Sequence, residues 1–249
     1  MPVVIVSGTG TEIGKTVVTA AVAALALAGG RTVAVLKPAQ TGVGPGEPGD
    51  TAEVTRLAGA VTAVELARFP EPLAPATAAA RAALPPVRPE EIAEAAGKLA
   101  TEHDLVLVEG AGGLLVRFDA AGGTLADAAR LLGAPVLVVA PAGLGTLNAT
   151  ALTTEALRAR GLDALGVVIG AWPAAPDLAA RCNLADLPDV AGAPLLGAIP
   201  EGAGALGPAD FRAGAGGWLA PALGGDWSAG RFAATFAPGP GAVPGRSRA

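Results

Sequence analysis

Short apolar runs alternate with longer amphipathic segments along this chain. The short runs are rich in β-branched residues or leucine, as buried strands are; they are Val3 to Val6, Val33 to Leu36, Leu105 to Val108, Val136 to Val139 and Leu165 to Ile169. Ala/Leu segments with charge on one side lie between several of them and suit helices; they are Thr16 to Ala28, Pro89 to Thr101 and Asn148 to Arg160. This alternation predicts an α/β fold in which a mostly parallel β-sheet, in a single domain, is flanked by helices.

Two Gly/Pro-rich segments interrupt the pattern. Residues 41–50 contain four glycines and two prolines, which predicts a mobile loop. Beyond Pro200 the periodicity fades, and the chain ends in a run of glycine, proline and alanine. We therefore predict one α/β domain over residues 1–225 and a disordered tail over residues 226–249.

Composition narrows the classes of partner. The net charge of -5 and the pI of about 4.9 provide no basic field for nucleic acid. The apolar runs are broken well before the roughly 18 residues that a membrane span needs, and the first residues do not form a secretory signal. A single cysteine, Cys182, and a single histidine, His103, argue against a disulfide or a zinc site and fit a reducing cytoplasm.

A glycine-rich segment, Gly8 to Thr16, follows the first predicted strand and precedes a helical run. In a P-loop, backbone amides and the helix N-terminus hold phosphate oxygens, a lysine bridges the terminal phosphates and a hydroxyl reaches Mg²⁺. Lys15 and Thr16 fit the last two roles. Thr9 stands where the usual spacing has glycine, so the sequence predicts a variant P-loop rather than a ligand-free turn.

Further candidate residues follow other strands, at the edge of a parallel sheet where ligands bind. Lys37 follows the second run and can neutralise a transferring phosphoryl group, although a surface lysine would be the commoner case in isolation. Glu109 follows the run Leu105 to Val108 and is a candidate ligand of Mg²⁺. Asp50 suits either a second ligand or the N-cap of a helix from Thr51 to Leu57.

In combination these motifs resemble dethiobiotin synthetases. The resemblance rests on Gly8 to Thr16, Lys37-Pro38, Val108 to Gly113, Leu144 to Asn148 and Pro194 to Pro200, and it covers about residues 1–202. It implies an ATP-dependent ligase of biotin biosynthesis that joins CO₂ to 7,8-diaminononanoate and closes the ureido ring of dethiobiotin. A carbamate would attack the γ-phosphate, and the second amine would then displace phosphate from the mixed anhydride.

The resemblance also implies roles for particular residues. Lys37 and Lys15 would be catalytic, and Thr16, Asp50 and Glu109 would hold Mg²⁺. The nucleotide would contact Glu12, Ile13, Gly14, Lys15, Thr16, Val17, Asp50, Glu109, Gly110, Ala111, Gly112, Gly170, Ala171, Pro200, Glu201 and Gly202. The diamine would contact Thr41, Thr146, Leu147 and Asn148. The last three would act on a substrate held by the opposite subunit, which implies a homodimer; without the resemblance, Thr146 is typical of a helix N-cap.

Two positions depart from the family's pattern. Gly170-Ala171 stands where Asn-Asp is common and where the asparagine reads adenine, so we expect looser recognition of the base. The neighbouring Trp172 suits a cover for the base or a core residue. Ala76 replaces a usual histidine, which leaves substrate contacts there open.

Other classes of P-loop protein fit less well. A related amide synthetase domain depends on a glutaminase, for which Cys182 and His103 provide no suitable pair. A partition-type ATPase switch carries a signature lysine where this chain has Gly10, and a GTPase switch needs an Asn-Lys-x-Asp segment that the sequence lacks.

Overall fold

Seven parallel strands form one sheet in the computed structural model, which describes residues 3–236. In chain order they are β1 (Val3–Gly8), β2 (Val33–Thr41), β3 (Thr62–Phe69), β4 (Leu105–Gly113), β5 (Val136–Ala140), β6 (Ala164–Trp172) and β7 (Leu195–Pro200). Their order in the sheet is β3-β2-β4-β1-β5-β6-β7, and each neighbouring pair is parallel. The predicted parallel α/β fold is confirmed.

Helices cover the sheet. They are α1 (Lys15–Ala28), α2 (Asp50–Ala58), α3 (Pro75–Ala82), α4 (Pro89–Ala100), α5 (Leu125–Leu132), α6 (Thr146–Arg158), α7 (Leu178–Ala191), α8 (Pro208–Ala215) and α9 (Ala229–Phe236). Helices α1, α2 and α8 pack on one another, α4 packs on α5, and α7 packs on both α6 and α9. Within residues 3–236, no helix has the length and apolar character needed to cross a bilayer.

The central strands are buried on both faces because helices cover both sides of the sheet. All residues of β5 are buried, and Ile5 and Val6 of β1 are fully buried. Helix α1 packs against this region through small side chains, among them Ala20, Ala21 and Ala23. Close packing on both sides holds β1 in the middle of the sheet, so the loop that follows it begins from a fixed point.

Two strands lie outside the five predicted runs. Strand β3 forms one edge of the sheet, and its side chains are mostly half-buried or exposed. Its sequence, TAVELARF, therefore mixes apolar and charged residues and does not form a continuous apolar run. Strand β7 forms the other edge and coincides with the segment Pro194 to Pro200, which carried part of the resemblance.

The prediction of a disordered tail from residue 226 is wrong for residues 226–236. Trp227 is buried, and α9 places Phe232 and Phe236 against Trp172. The prediction rested on the glycine and proline content of this segment. It did not take into account the apolar contact area that these aromatic side chains supply. The rest of the predicted tail, residues 237–249, lies outside the described residues.

Candidate active site

The P-loop connects β1 to α1 at the carboxyl edge of the sheet. Thr9 N–H donates to the Val139 carbonyl at 3.0 Å, which ties the loop to β5. Gly14 is the N-cap of α1 with a φ of 89°, a left-handed conformation that glycine adopts without strain. The first amides of α1 have no intrahelical partner and are available to an anion. Lys15 Nζ donates to the Gly10 carbonyl at 2.8 Å, so the lysine lies across the loop.

Lys37 lies between two carboxylates where β2, β4 and α2 meet. Its Nζ is 2.5 Å from Asp50 Oδ2 and 2.9 Å from Glu109 Oε1, and it donates to the Gly110 carbonyl at 3.1 Å. Thr16 Oγ1 donates to the same Glu109 oxygen at 2.9 Å. The structure therefore brings together both predicted lysines and all three predicted metal ligands. Asp50 is the first residue of α2, after the N-cap Gly49, so its predicted role as N-cap is not observed.

Burial acts differently on the two lysines. Burial lowers the pKa of Lys15, and the nearby positive charge of Lys37 lowers it further. Burial would also lower the pKa of Lys37, but Glu109 and Asp50 together hold that pKa above its ordinary value. Lys37 is therefore held as a cation at neutral pH although only 3% of it is exposed.

The donor set suits Mg²⁺. Thr16, Asp50 and Glu109 offer oxygen atoms, which this ion prefers, and Glu109 Oε2 is buried without a hydrogen-bond partner among the described residues. In the part of the chain that the structure describes, no group of three His, Cys, Asp or Glu side chains could hold a metal alone. Bound Mg²⁺ would therefore need phosphate oxygens and water as further ligands, as it commonly does.

A cavity of about 810 Å³ opens beside this cluster. The predicted site residues that line it are Glu12, Ile13, Gly14, Lys15, Thr16, Val17, Lys37, Thr41, Asp50, Glu109, Ala111 and Gly112. It extends past the P-loop to Val43, Pro72 to Pro75 and Val116, which leaves room for a second molecule beside a triphosphate. Gly110 is buried behind this wall, where a Cβ would meet the side chain of Leu125. Ala76, which replaces the family's histidine, lies in the first turn of α3 next to Pro75.

Other predicted nucleotide contacts lie along the opposite side of the P-loop. Gly170 packs so closely that a Cβ would overlap the Ile13 carbonyl oxygen, and a Cβ on Gly14 would overlap Gly170. Ala171 is exposed beside it. Strand β7 ends at the predicted contact Pro200. The turn that follows includes the predicted contacts Glu201 and Gly202 and continues to Gly204, where a Cβ would lie 3.1 Å from Val17.

Trp172 is a core residue of this region. Only 6% of it is exposed, and Phe232 and Phe236 cover its ring with centroid distances of 5.2 and 5.1 Å. Its carbonyl accepts a hydrogen bond from Glu201 N–H at 2.8 Å. The ring is enclosed by α9, which favours the core interpretation over an open cover for the base.

The predicted diamine contacts Thr146, Leu147 and Asn148 begin α6. Gly145 is the N-cap, so the predicted N-cap role of Thr146 is not observed; the buried Thr146 hydroxyl has no hydrogen-bond partner among the described residues. None of the three lines the cavity formed by residues 3–236 of one chain. Leu144, just before this helix, is 93% exposed.

Sequence reasoning missed two residues that position the site. The Gln40 side-chain carbonyl accepts from Asp50 N–H at 2.8 Å and so fixes the start of α2. Asn183 of α7 donates to the Ala142 carbonyl at 2.8 Å and to the Gly143 carbonyl at 3.1 Å, and so holds the loop before α6. The only local signal for Gln40 was a polar residue next to an apolar strand run; Asn183 had none, because its partners are distant in sequence.

Comparisons with known proteins agree with this geometry. A family model described as "AAA domain" matches residues 3–206. The ATP-dependent dethiobiotin synthetase BioD of Streptomyces avermitilis is 74% identical over 238 residues, which cover 96% of this chain and 100% of that protein. Its counterpart in Streptomyces coelicolor is 74% identical over 232 residues, which cover 93% of this chain and 98% of that protein.

Among solved structures, the cell division ATPase MinD of Pyrococcus furiosus is similar with a TM-score of 0.51 at 21% identity, over 81% of this chain and 84% of that chain. At this identity the likeness shows a shared P-loop fold alone. The identities to the two Streptomyces proteins extend over almost the whole length of each chain. This chain belongs to the ATP-dependent dethiobiotin synthetase family.

Proposed function

We propose that this protein uses ATP to join CO₂ to 7,8-diaminononanoate and to close the ureido ring of dethiobiotin. One observation carries the proposal: a buried lysine ammonium, that of Lys37, lies beside a P-loop in a cavity with room for a second substrate. A nucleotide switch needs to hold and hydrolyse ATP, whereas a synthetase must also neutralise an acceptor that attacks the γ-phosphate.

The P-loop would bind the phosphates of ATP. The free amides at the start of α1 would donate to phosphate oxygens, and Lys15 would exchange its bond to the Gly10 carbonyl for bonds to the terminal phosphates. Gly14, Thr16 and Val17 also line the cavity, and their backbone amides would bind phosphate oxygens there. Recognition of the base would fall to backbone groups near Gly170, because no side chain fits at that position.

Mg²⁺ would be held by Thr16, Asp50 and Glu109 together with phosphate oxygens and water. The ion would neutralise charge on the phosphates during transfer. The unpartnered Oε2 of Glu109 supports this assignment, because a buried carboxylate oxygen normally has a hydrogen-bond or metal partner. Asp50 is one-third exposed and borders the cavity, so it can turn toward an ion.

Lys37 would act on the reacting groups. One amine of the substrate captures CO₂ as a carbamate, and a carbamate oxygen attacks the γ-phosphorus of ATP with ADP as the leaving group. The second amine then attacks the carbonyl carbon of the mixed anhydride and expels phosphate, which closes the ring. The Lys37 ammonium would stabilise negative charge on the carbamate and on the transferring phosphoryl group. Thr41, at the end of β2 in the same cavity, would hydrogen-bond the diamine.

We further propose a cytoplasmic homodimer. The amides at the start of α6, with Thr146, Leu147 and Asn148, would form a site for an anion such as the carboxylate of the diamine. These residues do not line the cavity that the described residues 3–236 of their own chain form, so they would serve the substrate of the partner subunit. The alternatives, a partition-type switch or an amide synthetase domain, are not favoured, because relatives of 74% identity are named dethiobiotin synthetases.

The decisive experiment measures phosphate release from Mg-ATP with and without 7,8-diaminononanoate plus bicarbonate, with dethiobiotin identified by mass spectrometry. We expect substrate-dependent release with one phosphate per dethiobiotin, and a loss of about 10²- to 10³-fold in rate for Lys37→Ala. Because the protein has no side chain at Gly170 to recognise the nucleobase, CTP and GTP should also support measurable turnover. Phosphate release without dethiobiotin would return the protein to the class of ATPase switches.

A further inference from the structure

The nucleoside half of a bound triphosphate has a defined place on this sheet. The terminal phosphate belongs near Lys37 of β2 and Glu109 of β4, on one side of the P-loop strand β1. Strands β5, β6 and β7 follow on the other side of β1. A nucleotide that crosses the P-loop with its γ-phosphate at Lys37 therefore directs its nucleoside toward the ends of β6 and β7.

Apart from the exposed Glu201, the chain offers backbone groups and small side chains there. Gly170 has no room for a Cβ against the Ile13 carbonyl, and the exposed Ala171 offers only a methyl group. Across the same edge lie Pro200 and Gly202, both exposed. Backbone groups cannot change rotamer to follow a ligand, so their fit to the nucleoside depends on what holds these strand ends in place.

Trp172 connects the ends of β6 and β7. It lies two positions after Gly170, pairs with Pro200 in the sheet, and accepts a hydrogen bond from Glu201 N–H at 2.8 Å. Its ring is buried by Phe232 and Phe236, which are four residues apart and so lie on one face of α9. Trp227 packs on Phe232 at 5.3 Å and completes this aromatic cluster of Trp172, Trp227, Phe232 and Phe236.

Helix α9 is suited to a positioning role. It has eight residues and no fully buried one, so it would not be stable alone and is held by its aromatic contacts and by its packing on α7 and β7. We propose that α9, acting through the aromatic cluster, sets the position of the β6 and β7 ends and thereby the affinity for the nucleoside part of the triphosphate. The inference rests on the proposed use of ATP.

The test compares two ligands that share the phosphates and differ in the nucleoside. Calorimetric titrations of the full-length protein would use Mg-ATP and Mg-tripolyphosphate, with the wild-type chain and with the double variant Phe232→Ala/Phe236→Ala. We expect the Kd for ATP to rise about tenfold, as the loss of two aromatic contacts permits, and the Kd for tripolyphosphate to stay within about twofold. A general loss of structure would instead weaken the binding of both ligands to a similar extent.

Trp218→Ala supplies the matched control. Trp218 packs on Phe211 of α8 with centroids 5.2 Å apart, outside the aromatic cluster, and its loss should leave the ratio of the two affinities unchanged. If the double variant loses its circular dichroism spectrum, the single variant Phe236→Ala at the end of α9 should show a smaller shift in the same direction. An unchanged affinity ratio in folded variants would overturn the inference.

Failure of this inference can be distinguished from failure of the proposed reaction. A wild-type protein that binds ATP no more tightly than tripolyphosphate would also overturn the inference, since the nucleoside would then contribute nothing. Dethiobiotin formation would be unaffected by that outcome and is measured independently.

Discussion

At the scale of single residues, Lys37 is the cation that two acidic groups share. Only 1% of Glu109 is exposed, and Asp50 reaches the same ammonium from the start of α2. Removing one partner from a buried ion pair leaves an uncompensated charge, which costs more than the pair itself contributes. The site without ligands is therefore held together by a group that the reaction also needs.

We predict that Lys37→Met lowers the free energy of unfolding by about 3–5 kcal/mol in the absence of divalent ions. Added Mg²⁺ should restore part of this loss, because the ion can take the place of the ammonium between Asp50 and Glu109. Denaturant titrations in EDTA and in Mg²⁺ would measure both effects. Lys98→Met, at an exposed lysine of α4, is the control and should change stability by about 0.5 kcal/mol or less. A Mg²⁺ response equal to that of the wild-type protein would contradict the interpretation.

At the scale of elements, α7 controls where α6 begins. Asn183 satisfies the carbonyls of Ala142 and Gly143, and it is itself only 6% exposed. Without it, two backbone acceptors next to the proposed anion site would lose their partner. The loop between β5 and α6 would then be less well fixed, while the P-loop, which follows β1 and bonds to Val139 within β5, would keep its contacts.

Asn183→Ala should therefore raise the KM for 7,8-diaminononanoate several-fold and leave the KM for ATP nearly unchanged. The expected cost in stability is about 1–3 kcal/mol, the usual penalty for buried polar groups left unpaired. Steady-state kinetics with each substrate varied in turn would measure the split. Thr153→Ala removes only a bond to the Ala149 carbonyl within α6 and serves as the control. Equal increases in both KM values would argue against a local effect.

Local sequence patterns were sufficient to predict some elements of the structure and not others. Continuous apolar runs predicted β1, β2, β4, β5 and β6, because strands buried on both faces need such residues. Strand β3 was missed because an edge strand tolerates Glu65 and Arg68, which pair with each other at 2.8 Å. The P-loop is contiguous in sequence and was predicted as a unit. The bonds of Gln40 and Asn183 join distant segments, and no local pattern announces them.

At the scale of the whole molecule, the proposed dimer would complete the site. Leu144 is 93% exposed directly before α6, and Leu152 of α6 is 58% exposed. Exposed leucines next to a proposed binding element are the kind of surface that a partner subunit covers. The same surface would bring Thr146 to Asn148 toward the neighbouring cavity.

Leu144→Asp should therefore shift the protein from dimer to monomer in sedimentation velocity and lower the rate of dethiobiotin formation in parallel. A buried carboxylate without a partner would oppose association. Leu131→Asp is the control, because Leu131 is 50% exposed on α5, a helix that packs mainly on α4. A wild-type protein that sediments as a monomer and is fully active would rule out the shared site.

The uneven distribution of aromatic residues has a spectroscopic consequence. The sequence contains three tryptophans and no tyrosine, and Trp172, Trp218 and Trp227 all lie in the later part of the chain. Intrinsic ultraviolet emission therefore originates near β6, β7 and the helices that follow them, while the lysine and carboxylate groups of the P-loop side carry no chromophore of this kind. Emission observed during unfolding or ligand exchange would follow events in that half of the molecule, and events on the other half would need an introduced probe.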